Sequence, residues 1–159
     1  MKITVIGVGK VKEKFFRDAI AEYEKRLGRY CKLEICEVPD EKTPDGASES
    51  LEDTIKEKEA DRILGKLPED AYVMILDIVG KKMDSVAFGK KIEQLGISGK
   101  SHLVFVIGGS LGLHEKVKKR ADFSVSFSDM TFPHQLMRVI LLEQIYRGYR
   151  IVKGEPYHK

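Results

Sequence analysis

Short apolar runs alternate with segments whose apolar residues recur every three or four positions, the mark of strands separated by amphipathic helices. Residues 3–8, 33–38, 72–78, 103–107 and 123–127 read as strands. Phe15, Phe16, Ala19, Ile20, Tyr23 and Leu27 mark one face of a first helix, and Leu51, Ile55, Ile63, Leu64 and Leu67 that of a second. Ser85 reads as the N-cap of a third helix reaching Leu95, and residues 114–121 as a short, highly charged fourth. Pro133 suits the first position of a fifth helix that runs to Tyr149, because it lacks an N–H that would be orphaned there anyway. The alternation predicts an α/β fold, a mostly parallel five-stranded sheet with helices on both faces. In such sheets ligands bind at the carboxyl ends of strands. That singles out the loops after Ile78, Ile107 and Phe127.

The fifth helix has no wide polar face, since Leu136, Met137, Val139, Ile140, Leu141, Leu142, Ile145, Tyr146 and Tyr149 surround it. A helix apolar nearly all round is buried on more than one side. The second covering surface is either a second copy of the chain, giving a homodimer with an isologous interface, or the interior of the monomer itself.

The chain has 159 residues, 42% apolar and 33% charged, which is one domain's worth of sequence spanning residues 1–159. Its net charge of +3 is too small for a general polyanion sponge, but the charge is uneven. Residues 138–159 hold five bases and two acids, whereas residues 34–70 hold thirteen acids and five bases. This asymmetry suggests a basic tail facing an anionic partner such as nucleic acid, with an acidic region facing away. No run approaches the roughly 18 apolar residues of a membrane span, and no signal peptide precedes the first strand. Cys31 and Cys36 fall on one expected strand with opposite orientations, which disfavours a disulfide and fits a reducing cytoplasm.

Four motifs bear on chemistry. Gly7-Val8-Gly9 follows the first strand like a dinucleotide fingerprint, but Lys12 replaces its third glycine. Gly108, Ser110 and Gly112 spell a Gly-x-Ser-x-Gly elbow, and Asp122 or Asp129 and then His134 follow in the order of a serine hydrolase. Alternatively, Gly108 and Gly109 let backbone approach a flat ligand, with the loop Ser128-Asp129-Met130-Thr131-Phe132-Pro133 as its second wall. Lastly, Pro156-Tyr157-His158-Lys159, near Arg147 and Arg150 in sequence, joins an aromatic ring, an imidazole and cations suited to stacking, proton exchange and phosphate contact. The histidines share no short metal-ligand spacing, so no metal is expected.

The IGGSLGL run, the FSDMTFPHQLMRVILLEQIYRGYRI block and the terminal PYHK together resemble the ribosomal RNA large-subunit methyltransferase H family of the SPOUT superfamily, over essentially the whole chain. The resemblance implies a C-terminal trefoil knot, a homodimer and a cytoplasmic enzyme. It also implies transfer of methyl from S-adenosylmethionine to N3 of a pseudouridine in 23S ribosomal RNA, in an intersubunit stem-loop of the assembled ribosome. By motif, Leu76, Gly108, Phe127, Ser128, Asp129, Met130, Thr131 and Phe132 would hold the cofactor, and Arg147, Tyr157 and His158 would be catalytic. Arg138, Arg150, Lys153 and Lys159 complete the expectation as RNA contacts. Either His158 accepts the imide proton, as an imidazole titrating near about 6.5 can, or Arg147 stabilises the imide anion and solvent takes the proton. A non-catalytic ribosome-binding dimer and a serine hydrolase using Ser110 are the competing readings.

Overall fold

The computed structural model describes residues 1–159. Ten elements alternate along it: β1 (Lys2–Val8), α1 (Lys14–Leu27), β2 (Lys32–Val38), α2 (Glu49–Leu64), β3 (Tyr72–Lys82), α3 (Ser85–Ile97), β4 (His102–Ile107), α4 (Glu115–Arg120), β5 (Phe123–Ser126) and α5 (His134–Val152). The strands form one sheet in the order β2-β1-β4-β3-β5, and every pairing is parallel. β1 and β4 lie inside it and are buried along nearly their whole length, which is why both read as apolar runs, interrupted in β1 only by Thr4, whose hydroxyl pairs with His102 at 2.8 Å.

Each face of the sheet carries its own core. Ile3, Val5, Leu103 and Phe105 pack with Ile20 and Leu27 of α1, Phe88 and Ile92 of α3, and Leu141, Leu142 and Ile145 of α5. Ile6, Val73, Val104 and Val106 pack on the other face with Ala60 and Ile63 of α2 and Val117 of α4. The acidic α2 thus lies across the sheet from α5. α5 sits among its neighbours on the first face, touching α1 and crossing α3 where Gly89 and Gly148 meet. A Cβ added at Gly148 would stand 2.9 Å from the Gly89 Cα, so small residues permit the crossing. Part of what α5 needs is therefore met within the chain, and Val139, Ile140 and Tyr146 remain half-buried.

Boundaries differ from the sequence reading for local reasons. Asp84 caps α3, accepting from the Ala87 N–H at 2.8 Å, and Ser85 is the first helical residue. Pro133 is the residue just outside α5. Cys31 precedes β2, leaving only Cys36 on that strand. The largest departure is β3, which continues to Lys82: it pairs with β5 through Leu76, bulges outward, and meets Val125 again at Lys81. Ile78 and Val79 are exposed on the bulge, and Gly80 lies so close to β5 that a Cβ would stand 2.8 Å from the backbone of Ser124 and Val125.

Candidate active site

A cavity of about 660 Å3 opens at the carboxyl ends of β3 and β4. Leu76, Asp77 and Ile78 line it from β3, residues 107–113 from β4 and its loop, and Met130, Thr131, Phe132, Pro133, His134 and Met137 from the β5 loop and α5. This size and apolar character suit a small-molecule site. Gly108 is required by a close approach, since a Cβ there would meet the Gly112 carbonyl carbon at 3.0 Å and the Leu113 side chain at 3.1 Å. The loop turns back on itself, Gly109 bridges Gly112, and Gly112 takes a φ of +86°.

The electrostatics of the lining are selective. Asp77 is its one carboxylate, tied to Lys118 of α4 at 3.3 Å, and no lysine or arginine lines the cavity. His134 is held below the ordinary imidazole range, first by burial and then by the neighbouring Arg138 cation. A phosphate would find no cation here, whereas an uncharged or cationic ligand would meet apolar walls, main chain and one anion.

The loop after β5 has an internal brace. The Ser126 hydroxyl donates to the Ser128 carbonyl at 3.2 Å, and the Ser128 hydroxyl accepts from the Met130 N–H at 3.0 Å. Phe127 packs edge-on against Phe88 of α3 at 5.6 Å between ring centroids. Among the residues expected to hold a cofactor, Leu76, Gly108, Met130, Thr131 and Phe132 line the cavity. Phe127 lines a smaller adjoining cavity that shares Phe132, Ser128 shapes the loop, and Asp129 points to Lys82 with an ion pair of 2.5 Å.

The serine-hydrolase reading does not survive. Ser110 is exposed, no non-glycine residue has a positive φ of the kind a strained elbow uses, and Ser110 makes no hydrogen bond to His134. Asp122 starts the far end of β5, where it accepts from the Val73 N–H at 2.8 Å, and Asp129 is engaged by Lys82. The Gly7-Val8-Gly9 turn is likewise filled by protein. The Arg138 guanidinium occupies the space where a Gly7 Cβ would stand and donates to the carbonyls of Val8 at 2.9 Å and Gly9 at 2.6 Å. Arg138 also pairs with Glu37 at 2.6 Å and is 2% exposed, its Nε without a partner. Its expected place among the RNA contacts is therefore corrected: the charge is consumed inside the fold, fixing α5 to the β1 turn.

The second cluster lies at the other end of α5. Glu143 receives the Arg147 Nε at 2.7 Å and Nη2 at 2.7 Å. Arg147 stacks its guanidinium over the Tyr157 ring at 4.6 Å and places Nη1 3.1 Å from His158 Nδ1. Burial first, then the Glu143 charge, pushes the Tyr157 phenol up to about 12, while the bond to Glu143 raises Arg147. Arg150 anchors the chain end by donating to Glu155 at 2.7 Å and to the Pro156 carbonyl at 2.8 Å, so it holds the tail in place. Lys153 and Lys159 are exposed and make no ion pair. Arg147, Tyr157 and His158 thus come together, and Glu143, which the sequence reading missed, joins them. Its signal was the four-residue spacing to Arg147 that puts both on one helix face.

The cavity and this cluster do not meet within one chain. Met137 borders the cavity and Arg147 is ten residues further along α5, about 15 Å along the helix axis.

A family model described as a predicted SPOUT methyltransferase matches residues 1–158. A protein of Bifidobacterium adolescentis named ribosomal RNA large subunit methyltransferase H is 64% identical over 159 residues, covering 100% of both chains. A protein of Clostridium beijerinckii with the same name is 58% identical, again over 100% of both. In fold, the chain is similar to a solved structure from Haemophilus influenzae Rd KW20, described as that of "a probable methylase family protein". The TM-score is 0.55 at 11% identity, covering 99% of this chain and 70% of that one. A parallel α/β sheet with a phosphate-averse cavity at its carboxyl edge, matched from end to end by these relatives, belongs to the SPOUT methyltransferase family, and among its members to the ribosomal RNA large subunit methyltransferase H proteins.

Proposed function

We propose that this protein transfers a methyl group from S-adenosylmethionine to N3 of a pseudouridine in 23S ribosomal RNA, in an intersubunit stem-loop of the assembled ribosome. It works in the cytoplasm as a homodimer. The observation that carries the reading is the cavity itself. A sulfonium cofactor carries positive charge and no phosphate, and the lining offers one carboxylate, shared with Lys118, no lysine or arginine, and apolar walls. Leu76, Gly108 and residues 127–132 would hold it, with Phe127, Ser128 and Asp129 shaping the loop from behind.

When bound, S-adenosylmethionine supplies an electrophilic methyl group. The protein's part is to hold the target nitrogen in line with it, where effective molarities on the order of 10⁵ M or more become available from geometry alone. Because the tail cluster stands about 15 Å along α5 from its own cavity, each site of the dimer combines the cavity of one subunit with Arg147, Tyr157 and His158 of the other. The half-buried Val139, Ile140 and Tyr146 offer the second copy an apolar face. Lys153 and Lys159 supply the phosphate contacts. A trefoil knot belongs to the same proposal.

The test is to incubate the protein with isotopically labelled S-adenosylmethionine and ribosomes from cells lacking the gene, then digest the RNA and identify the labelled nucleoside by mass spectrometry. Label in N3-methylpseudouridine is expected. Ribosome binding without consumption of the methyl donor would overturn the enzyme in favour of a non-catalytic binder.

A further inference from the structure

We propose that Glu143 is a positioning residue which, through Arg147, fixes His158 as a hydrogen-bond donor to the target base and removes it from the role of proton acceptor; this rests on the methyl-transfer reading above. Glu143 grips the guanidinium through both Nε and Nη2 at 2.7 Å, with both side chains mostly buried. The grip leaves Nη1 directed to His158 Nδ1 at 3.1 Å. Arginine has no acceptor, so the Nδ1 lone pair must receive that bond, and a neutral imidazole then carries its hydrogen on Nε2. The chain that carries the ring is held in place: Arg150 pins the Pro156 carbonyl, a bridge joins Pro156 to His158, and the Tyr157 ring lies between the Arg147 guanidinium and Tyr146 of α5. Other charged and titratable groups around the cluster are Tyr23 and Arg26 of α1, which reach Tyr146 and Tyr157, and none of them competes for Nδ1. His158 is itself exposed, so Nε2–H is the group it offers outward.

The chemistry that follows is electrostatic. The target N3–H proton passes to water; the N3 lone pair forms the bond to the methyl carbon, and the carbon–sulfur pair stays on sulfur as a neutral thioether. Between these events the imide is an anion whose charge spreads onto its two carbonyl oxygens. Nε2–H of His158 donates to one of them, and the Arg147 cation adds its field.

Two measurements test this together. Nitrogen-15 NMR of histidine-labelled protein at pH 8, without methyl donor or ribosomes, reads the tautomer of His158, assigned by the signal missing in H158Q. Wild type is expected to show Nε2 protonated and Nδ1 as acceptor, and E143Q a mixture of both tautomers. Single-turnover methylation of ribosomes then separates donor from base. An amide N–H can stand where Nε2–H stands but cannot take up a proton, so H158Q is expected to stay within about tenfold of wild type while H158A falls about 10²-fold or more. E143Q should slow turnover with an unchanged KM for ribosomes. A wild-type enzyme that is active with Nδ1 protonated, or an H158Q variant as slow as H158A, would overturn the donor assignment alone. A wild type with the expected tautomer and no transfer to any ribosomal nucleoside would overturn the methyl-transfer reading and the catalytic role with it.

Discussion

At the amino end of α5 the site is made of main chain and apolar side chains, whereas at its carboxyl end it is made of interlocked charges and phenols. The cavity keeps its shape because Gly108 and Gly112 let one loop fold onto itself and because Ser126 and Ser128 brace another. Charged pairs enter only at its edges, as Asp77–Lys118 and Asp129–Lys82. The tail is held by Glu143–Arg147, Arg150–Glu155 and the edge-on Tyr146–Tyr157 contact, and it is tied to the segment after α1, where the Tyr30 hydroxyl donates to Glu155 at 2.9 Å. The cavity is preorganised by backbone sterics, whereas the tail is ordered by polar and aromatic contacts to α5 and to the segment that follows α1.

The comparison breaks most sharply at Gly108. Gly108→Val puts a branched side chain against Gly112 and Leu113, and methyl-donor binding measured by titration calorimetry should fall below detection while the tail cluster is untouched. Arg147→Ala is the mirror image. Transfer should slow by about 10²–10³-fold, in the range seen when one donor to a developing anion is removed, with donor affinity unchanged. Loss of donor affinity in Arg147→Ala would show that the two ends are not independent.

Arg138→Ala tests what ties the helix to the sheet. It would leave the Glu37 carboxylate and the Val8 and Gly9 carbonyls without their partner. We expect a loss of about 3 kcal/mol in urea unfolding, the low end for a broken buried pair because Glu37 is 36% exposed. Methylation per folded molecule should be kept; a selective loss of RNA affinity would restore Arg138 to the RNA surface.

The smallest effect separates the ends by pH. His134, at the cavity, is lowered from its ordinary 6.5, so its contribution to stability is present above that pH and is lost as pH falls. At the tail end burial raises Cys31 from 9.0 to about 11 and, more strongly, the neighbouring Tyr149. Their contribution is complete below pH 9 and is lost as pH rises through 11. Hydrogen exchange should therefore show the β5–α5 loop loosening in acid and the α1–α5 contact loosening in alkali. Uniform loosening at both extremes would contradict the assignment.

Much of this was legible in one dimension. Five apolar runs gave the five strands because β1 and β4 are buried on both faces and admit a polar side chain only where it is paired, as Thr4 is with His102, and glycines after Ile107 marked the loop that lines the cavity. Other features left no local trace. The continuation of β3 to Lys82 breaks the apolar pattern, since Ile78 and Val79 face outward and Gly80 is explained only by the strand it touches. Arg138 reads as one more base of a basic tail, yet its burial depends on a glycine 131 positions earlier and an acid 101 positions earlier. Glu143 was hidden among apolar neighbours although its spacing to Arg147 was in plain view.

The alternation of strands and helices, the loops at the strand ends and the chemical kinds of residue at the chain's end follow from the residues in order, because periodicity and turn chemistry act between near neighbours. Which glycines guard backbone and which guard Arg138, and which cation is spent inside the fold, emerge once the chain has packed. The Arg138 contacts reach 101 and 131 positions back and the Gly80 and Gly89 approaches 44 and 59 positions on, distances at which a side chain's partner is chosen by packing rather than by spacing.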